Sequence, residues 1–355
     1  MEVENQNHRT SPMTSKKRLN ALPPPPLKVL ARHLDVDTIT IEWLAGDGSD
    51  RCYYRLSSPQ LIRTYVLMQL SSLDAKLLAE NGYEWIIIGK ILSQEGVRVP
   101  RTVATIPDYS ALIIEDYGDT MLESRVQSHL QSNEQPSVID LYKKVFPIIK
   151  TMLEIKNDNK SPWTKRSFDK DRFVWEMNFF YQNFLKPVAN IDLSLQQQND
   201  FKKESEDLSS YLATHSNYFV HRDLHSRNLM LQEGNVAMID FQDARLGPAS
   251  YDIVSLCFDS YVPLNQSFRI DLIKEFMAEM PSEIKQSLKS SWKPMLLQRQ
   301  MKALGSFGYL SIVKQRGNYL TYLQPAMETL DETVFDSRWP FLSGQLIQII
   351  NKNLG

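Results

Sequence analysis

The sequence predicts an α+β fold, with a small strand-rich first part and a large helical second part. Two observations carry this expectation. Five short runs rich in β-branched residues lie before residue 117, whereas after Gly118 the apolar residues recur at helical spacing. A third observation sets the scale. The chain has 355 residues, 42% hydrophobic and 23% charged, enough for two moderate folded units with ample core.

Residues 1–26 read as a disordered, Pro-rich tail. They are polar, carry Lys16-Lys17-Arg18, and end in Pro23-Pro24-Pro25-Pro26, a stiff extended spacer. Folding is expected to begin near Leu27. Strands are expected at 38–44, 51–56, 64–68, 102–106 and 111–115, with a helical pattern over 72–95 that Gly82 and Gly89 weaken. Residues 27–117 are thus a small sheet unit. Residues 118–355 form the helical unit, with helices expected near 136–157, 168–186, 195–215, 249–259, 266–279, 283–302, 304–316 and 321–334. The aromatic stripe Phe173, Trp175, Phe179, Phe180 and Phe184 is expected to be core for the most part.

Composition excludes several classes. Lys+Arg 40 against Asp+Glu 42 gives a net charge of −2, no electrostatic ground for a nucleic-acid or anionic-membrane partner. Two cysteines exclude a disulfide framework and a four-cysteine zinc site. Cys257, in an apolar run, is expected to be a small buried hydrophobe. The polar first twenty residues show no signal peptide and the apolar run at Trp85–Ile88 is too short to span a bilayer, so a cytoplasmic monomer is expected.

The chemistry lies in Phe219–Asn228 and Val236–Asp243. His221-Arg222-Asp223-Leu224-x-x-x-Asn228 between two short strands has the spacing of a phosphoryl-transfer loop. In such a loop Asp223 takes the proton of the acceptor hydroxyl and Asn228 holds a metal ion. Asp240 supplies the second oxygen ligand for Mg²⁺, with ATP as donor. His221 and Asp252 read as braces of the loop. The turn 45–50, between two strands, suits a phosphate-covering loop: Gly46 and Gly48 let the backbone approach, and Ser49 and Arg51 can donate to phosphate, though a plain hairpin turn explains Gly-x-Gly equally well. Glu115-Asp116-Tyr117-Gly118 falls where sheet gives way to helix, so Glu115 and Tyr117 are expected to pair with adenine through their backbones. A sheet lobe followed by a helical lobe is the two-lobe protein-kinase-like layout, with the nucleotide expected between them.

These residues resemble the aminoglycoside phosphotransferase/choline kinase superfamily over residues 38–335. Within it, Leu44–Arg55, Ile239–Asp252 and Gln298–Gly305 are similar to the bacterial kinases that phosphorylate N-acetylmuramate and N-acetylglucosamine at the anomeric C1 hydroxyl. The resemblance implies an ATP-dependent sugar kinase of cell-wall recycling. The chain departs from many kinases at its third strand, Tyr65-Val66-Leu67-Met68-Gln69, which lacks a phosphate-clamping Lys; Arg51, Arg55 or Lys76 are candidates to replace it.

A protein acceptor is disfavoured, because eleven residues separate Asp240 from Asp252, too few for an activation segment. Glu176, Asp243 and Arg299 are candidate contacts to a small hydroxylated substrate, with exposed helix faces the competing reading for Glu176 and Arg299. Two alternatives remain open: another small-molecule kinase (aminoglycoside, choline-like or other sugar acceptor), and a catalytically inactive nucleotide-binding scaffold.

Overall fold

The computed structural model describes residues 22–45, 51–80, 82–132, 134–333 and 335–354. The chain divides into two compact units, and neither is contiguous in sequence. One takes residues up to Tyr83 together with Arg101–Asp116; the other takes Glu84–Pro100 and everything from Tyr117.

The first unit is a five-stranded antiparallel sheet. Its strands are β1 (Thr40–Ala45), β2 (Cys52–Ser57), β3 (Tyr65–Gln69), β4 (Thr102–Ile106) and β5 (Ala111–Glu115), in the order β1-β2-β3-β5-β4. All five coincide with runs expected from alternation. The short helix α1 (Leu27–His33), which follows the proline spacer directly, buries Leu30 and Ala31 against Ile39, Leu56, Leu67, Ile106, Ala111 and Ile113 of the sheet side. Helix α2 (Ser72–Ala79) starts at Ser71, whose hydroxyl accepts the Asp74 N–H. The helix expected over 72–95 is two helices. α2 ends before Gly82, and α3 (Glu84–Gln94) belongs to the other unit. The expected division at 117/118 therefore differs from the observed one in the segment 84–100 and at Tyr117.

Packing explains where 84–100 goes. The Trp85 ring lies 5.2 Å from that of Phe241, and Arg98 extends the hairpin of β7 (Leu229–Gln232) and β8 (Asn235–Met238) by accepting the Met238 N–H at 2.8 Å. A second two-stranded ribbon joins β6 (Ser216–Val220) to β9 (Arg245–Pro248). Around these ribbons the second unit is helical: α4 (Leu122–Gln131), α5 (Gln135–Lys143), α6 (Phe146–Glu154), α7 (Lys170–Phe180), α8 (Leu195–Thr214), α9 (Tyr251–Cys257), α10 (Gln266–Glu279), α11 (Ser282–Gly308), α12 (Leu323–Asp331) and α13 (Leu346–Leu354). None of the described helices is long and apolar enough to cross a membrane.

Helices α7 and α11 organise this core. Phe173, Met177, Phe180 and Phe184 bury completely with Met301 and Leu304, while Trp175 is 51% exposed and stacks on Phe179 at 5.1 Å. The aromatic stripe is thus core except at Trp175 and the half-buried Phe179. At Gly305 and Gly308 the helix backbones touch. A Cβ on Gly305 would sit 2.7 Å from the Phe180 Cα, and one on Gly308 would sit 2.0 Å from the Asn183 carbonyl oxygen. Pro294, inside α11, cannot donate to the Ser290 carbonyl one turn back. The Tyr211 hydroxyl does so instead, at 3.0 Å.

Candidate active site

The site grows from the loop between β6 and β7. Its path is fixed by two buried carboxylates, Asp252 and Asp259, seven residues apart at the two ends of α9. Asp252 accepts the backbone N–H of His221 at 2.7 Å and of Arg222 at 3.1 Å. Burial pushes its carboxyl up to about 6, against the pull of His221 and of these N–H groups. Asp259 accepts from the backbone and hydroxyl of Ser226 at 2.9 and 2.5 Å. Between these anchors Leu224 is fully buried.

His221 is fully buried and ties the loop to the strand carrying the second acid. Its Nδ1 accepts the Asp223 N–H at 3.3 Å, which leaves the proton on Nε2 to donate to the Ile239 carbonyl at 2.9 Å. Ile239 in turn donates its N–H to the Asn228 carbonyl at 3.0 Å, so Asn228 and Asp240 come side by side. Asn228 spends its Nδ2 on the Asp223 carbonyl at 2.8 Å, which leaves its Oδ1 as the atom able to meet a cation. Asp240 is exposed, sits at φ +63° and receives the Gln242 amide on Oδ1 at 2.8 Å. A neutral amide oxygen and a carboxylate are hard donors, which suits Mg²⁺.

Asp223 has its two oxygens in different surroundings. Oδ1 accepts from Lys302 of α11 at 2.9 Å, whereas among the described residues Oδ2 has only Arg222 Nε, at 3.7 Å. Burial would raise its pKa, but Lys302, Arg222 and Arg299 together hold the carboxyl well below the ordinary range. More cations lie around it. Asp243 is met by Arg222 at 3.4 Å and by Arg166 and Arg245 at 3.9 Å. Burial, with Arg222 and Arg172 nearby, lowers the Arg245 guanidinium to about 10. Glu176 is fully buried, bonded by the Gln298 amide at 2.8 Å and paired with Arg172 at 3.6 Å.

Residues 161–283 match a family model described as the phosphotransferase enzyme family. The segment covers the loop, both metal-site candidates and α9. Two N-acetylmuramate/N-acetylglucosamine kinases are similar over a longer stretch. That of Neisseria meningitidis serogroup B is 26% identical across 60% of this chain and 64% of its own length; that of Pseudomonas aeruginosa is 26% identical across 61% and 59%. The chain therefore spans about three-fifths of the length of these relatives. Among solved structures, Plasmodium vivax ethanolamine kinase aligns at 15% identity over 85% of this chain and 84% of that one, with a TM-score of 0.55. Spectinomycin phosphotransferase aligns at 13% identity over 93% and 98%, with a TM-score of 0.58. The likeness is one of fold, and the chain has the two-lobe, protein-kinase-like α+β fold.

The phosphotransferase-family segment gathers Asp223, Asn228, Asp240, Asp243, His221 and Asp252, and α7 and α11 bring Glu176 and Arg299 to the same unit. Both of these helix residues are buried, so neither lies on an exposed face; Arg299 Nε donates to the Ser255 hydroxyl at 2.9 Å. Gly46, Gly48 and Ser49 lie outside the described residues, as does Lys16-Lys17-Arg18. Arg51 is bound to Asp74 at 2.7 Å and Arg55 to Asp116 at 2.6 Å; Lys76 is exposed. Gln69 donates to the Tyr109 and Ser110 carbonyls, so at that strand position the amide has a structural task. Glu115 donates its backbone N–H to Arg101 and binds the Arg101 side chain, and the Tyr117 hydroxyl donates to the Val99 carbonyl at 3.0 Å. Arg227 is not free: it binds Glu123 and the Tyr322 hydroxyl and lies over the Tyr261 ring.

Sequence reasoning missed Lys302, Asp259 and Arg166. Arg166 pairs with Glu84 at 2.5 Å and donates to the Gln242 and Ala244 carbonyls, fixing the backbone just after Asp240. Asp259 had a readable signal, an acid two turns beyond Asp252. Lys302 lies inside Gln298–Gly305, a stretch the resemblance had marked without giving the lysine a role, and Arg166 had no signal, since it acts across a long sequence gap.

Proposed function

We propose that this protein is an ATP-dependent small-molecule kinase, and that its acceptor is the anomeric C1 hydroxyl of N-acetylmuramate or N-acetylglucosamine. The observation that carries the reading is the state of Asp223: ionised, fixed through Oδ1, with Oδ2 left to an acceptor hydroxyl. Asn228 Oδ1 and the Asp240 carboxylate would hold Mg²⁺, which when bound neutralises phosphate charge. Asp223 orients the acceptor and takes its proton. A carboxylate so stabilised is a weak base. It suits a hemiacetal hydroxyl, a stronger acid than an ordinary alcohol because the ring oxygen withdraws electron density. The charges that act on Asp223 most strongly are the cations Lys302, Arg222 and Arg299, which supports a neutral or anionic acceptor over choline or an aminoglycoside. The names of the relatives support the same acceptors. The product would serve cell-wall sugar recycling.

The test is a Mg²⁺-ATP assay against N-acetylmuramate, N-acetylglucosamine, choline and kanamycin, with ³¹P NMR to identify an anomeric phosphate. Phosphorylation of an amino sugar at C1, lowered by at least about 100-fold but still measurable in Asp223→Asn, is the expected result. Full activity in Asp223→Asn overturns the role of Asp223, turnover of choline or kanamycin alone overturns the acceptor, and ATP binding without transfer to any acceptor points to a scaffold.

A further inference from the structure

The ribbon loop carries the carboxylate but no lysine. Its two cations are Arg222, whose Nε has no hydrogen-bond partner among the described residues, and Arg227, which is bound to Glu123 and Tyr322. The lysine that reaches Asp223 comes from a helix 79 residues away, and it arrives with only 14% of its side chain exposed. Two features place it there. Gly305 and Gly308 pin α11 against the end of α7, fixing the axial position of the helix one turn from Lys302. Arg299, one turn in the other direction, is held by Ser255 of α9, the helix whose Asp252 grips the loop. The ammonium is therefore fixed by the same elements that fix Asp223.

Among the described residues the Lys302 ammonium makes one hydrogen bond, and its partner is Oδ1 of Asp223. A carboxylate can turn about its Cβ–Cγ bond, and such a turn would exchange the two oxygens and blur which one meets the acceptor. A charge-assisted bond to one oxygen removes that freedom. We propose that Lys302 is the positioning residue of the transfer step, clamping Oδ1 of Asp223 so that Oδ2 alone receives the acceptor hydroxyl. The inference rests on the kinase reading above. In the step it serves, the acceptor oxygen bonds to the γ-phosphorus of ATP and the bond from that phosphorus to the β–γ bridging oxygen breaks. The bond's electron pair leaves with ADP, and the hydroxyl proton passes to Oδ2.

The experiment compares Lys302→Met and Lys302→Arg with wild type, each measured for kcat, both KM values and thermal midpoint, alone and combined with Asp223→Asn. Lys302→Met should lower kcat by roughly 100-fold while KM for ATP stays within about threefold. Lys302→Arg should recover at least about tenfold of that loss, because a guanidinium can still donate to Oδ1. In the Asp223→Asn background Lys302→Met should cost less than about threefold, since the clamp has lost its object. A kcat for Lys302→Met within threefold of wild type overturns the proposal. So does equal impairment of both lysine variants in step with a lost thermal midpoint, which would mark a structural ion pair. If wild type phosphorylates no acceptor, the kinase reading fails separately. The variant-to-wild-type ratio is then taken from slow transfer to water, where a ratio near one overturns the clamp.

Discussion

At the residue scale, Asp252 shows how one buried carboxylate serves a loop it does not belong to. Its two oxygens take two consecutive backbone N–H groups, a pairing no neutral side chain of the same shape reproduces. At pH 4 Asp252→Asn, which turns an N–H₂ toward one of these donors, should destabilise the protein by about 2 kcal/mol. The difference should depend on pH. The Asp252 carboxyl titrates near 6 in the folded state, above the ordinary value of about 3.9, so between those values the folded protein holds a proton that the unfolded chain has released. Its stabilising contribution is therefore fully present below pH ~4 and lost as pH rises through ~6, a change of roughly 3 kcal/mol. Urea unfolding of both proteins from pH 4 to 7 should show the wild-type advantage shrinking as pH rises; a constant difference would contradict this. Cys257 behaves as its apolar run indicated, buried and with its thiol pushed up to about 12.

At the scale of elements, the strands of the sheet were legible because each is a short alternating run, and the loop was legible because its functional residues lie within eight positions of one another. What escaped the sequence is what depends on partners far along the chain. The helix expected to end at 302 and another expected from 304 are one helix, α11, since Gly305 is there to let α7 approach and not to stop the helix. Gly305→Ala should cost about 1–3 kcal/mol by overpacking against the Phe180 backbone, visible as a lower denaturant midpoint. Pro294 escaped in the same way, because its lost hydrogen bond is restored by a tyrosine of α8. Tyr211→Phe should cost about 1 kcal/mol in wild type and almost nothing in a Pro294→Ala background, where the Ser290 carbonyl regains its own helical donor. Equal costs in both backgrounds would show that the hydroxyl does not serve that carbonyl.

At the scale of the whole molecule, the α+β class followed from the switch in periodicity near residue 118, but the allotment of 84–100 did not. Its apolar pattern, Trp85 and Ile88 with Leu92, announces a helix without announcing which surface receives it. The receiving surface includes Phe241, next to Asp240. A fragment spanning 118–355 should therefore fold poorly and bind a dye for exposed apolar surface, and adding residues 84–100 as a peptide should reduce that binding. Unchanged behaviour of the fragment with and without the peptide would argue against the packing of Trp85 on Phe241.

The same discontinuity constrains how the protein is made. The chain passes between its two units three times, so synthesis does not deliver either one whole before beginning the other. Helix α3 leaves the ribosome about 150 residues ahead of the phenylalanine it covers, at 5–20 residues per second, a wait on the order of ten seconds. For that interval the Trp85 ring lacks the Phe241 ring it packs against. The sequence that completes the acid-bearing strand also ends the exposure of a segment made long before it.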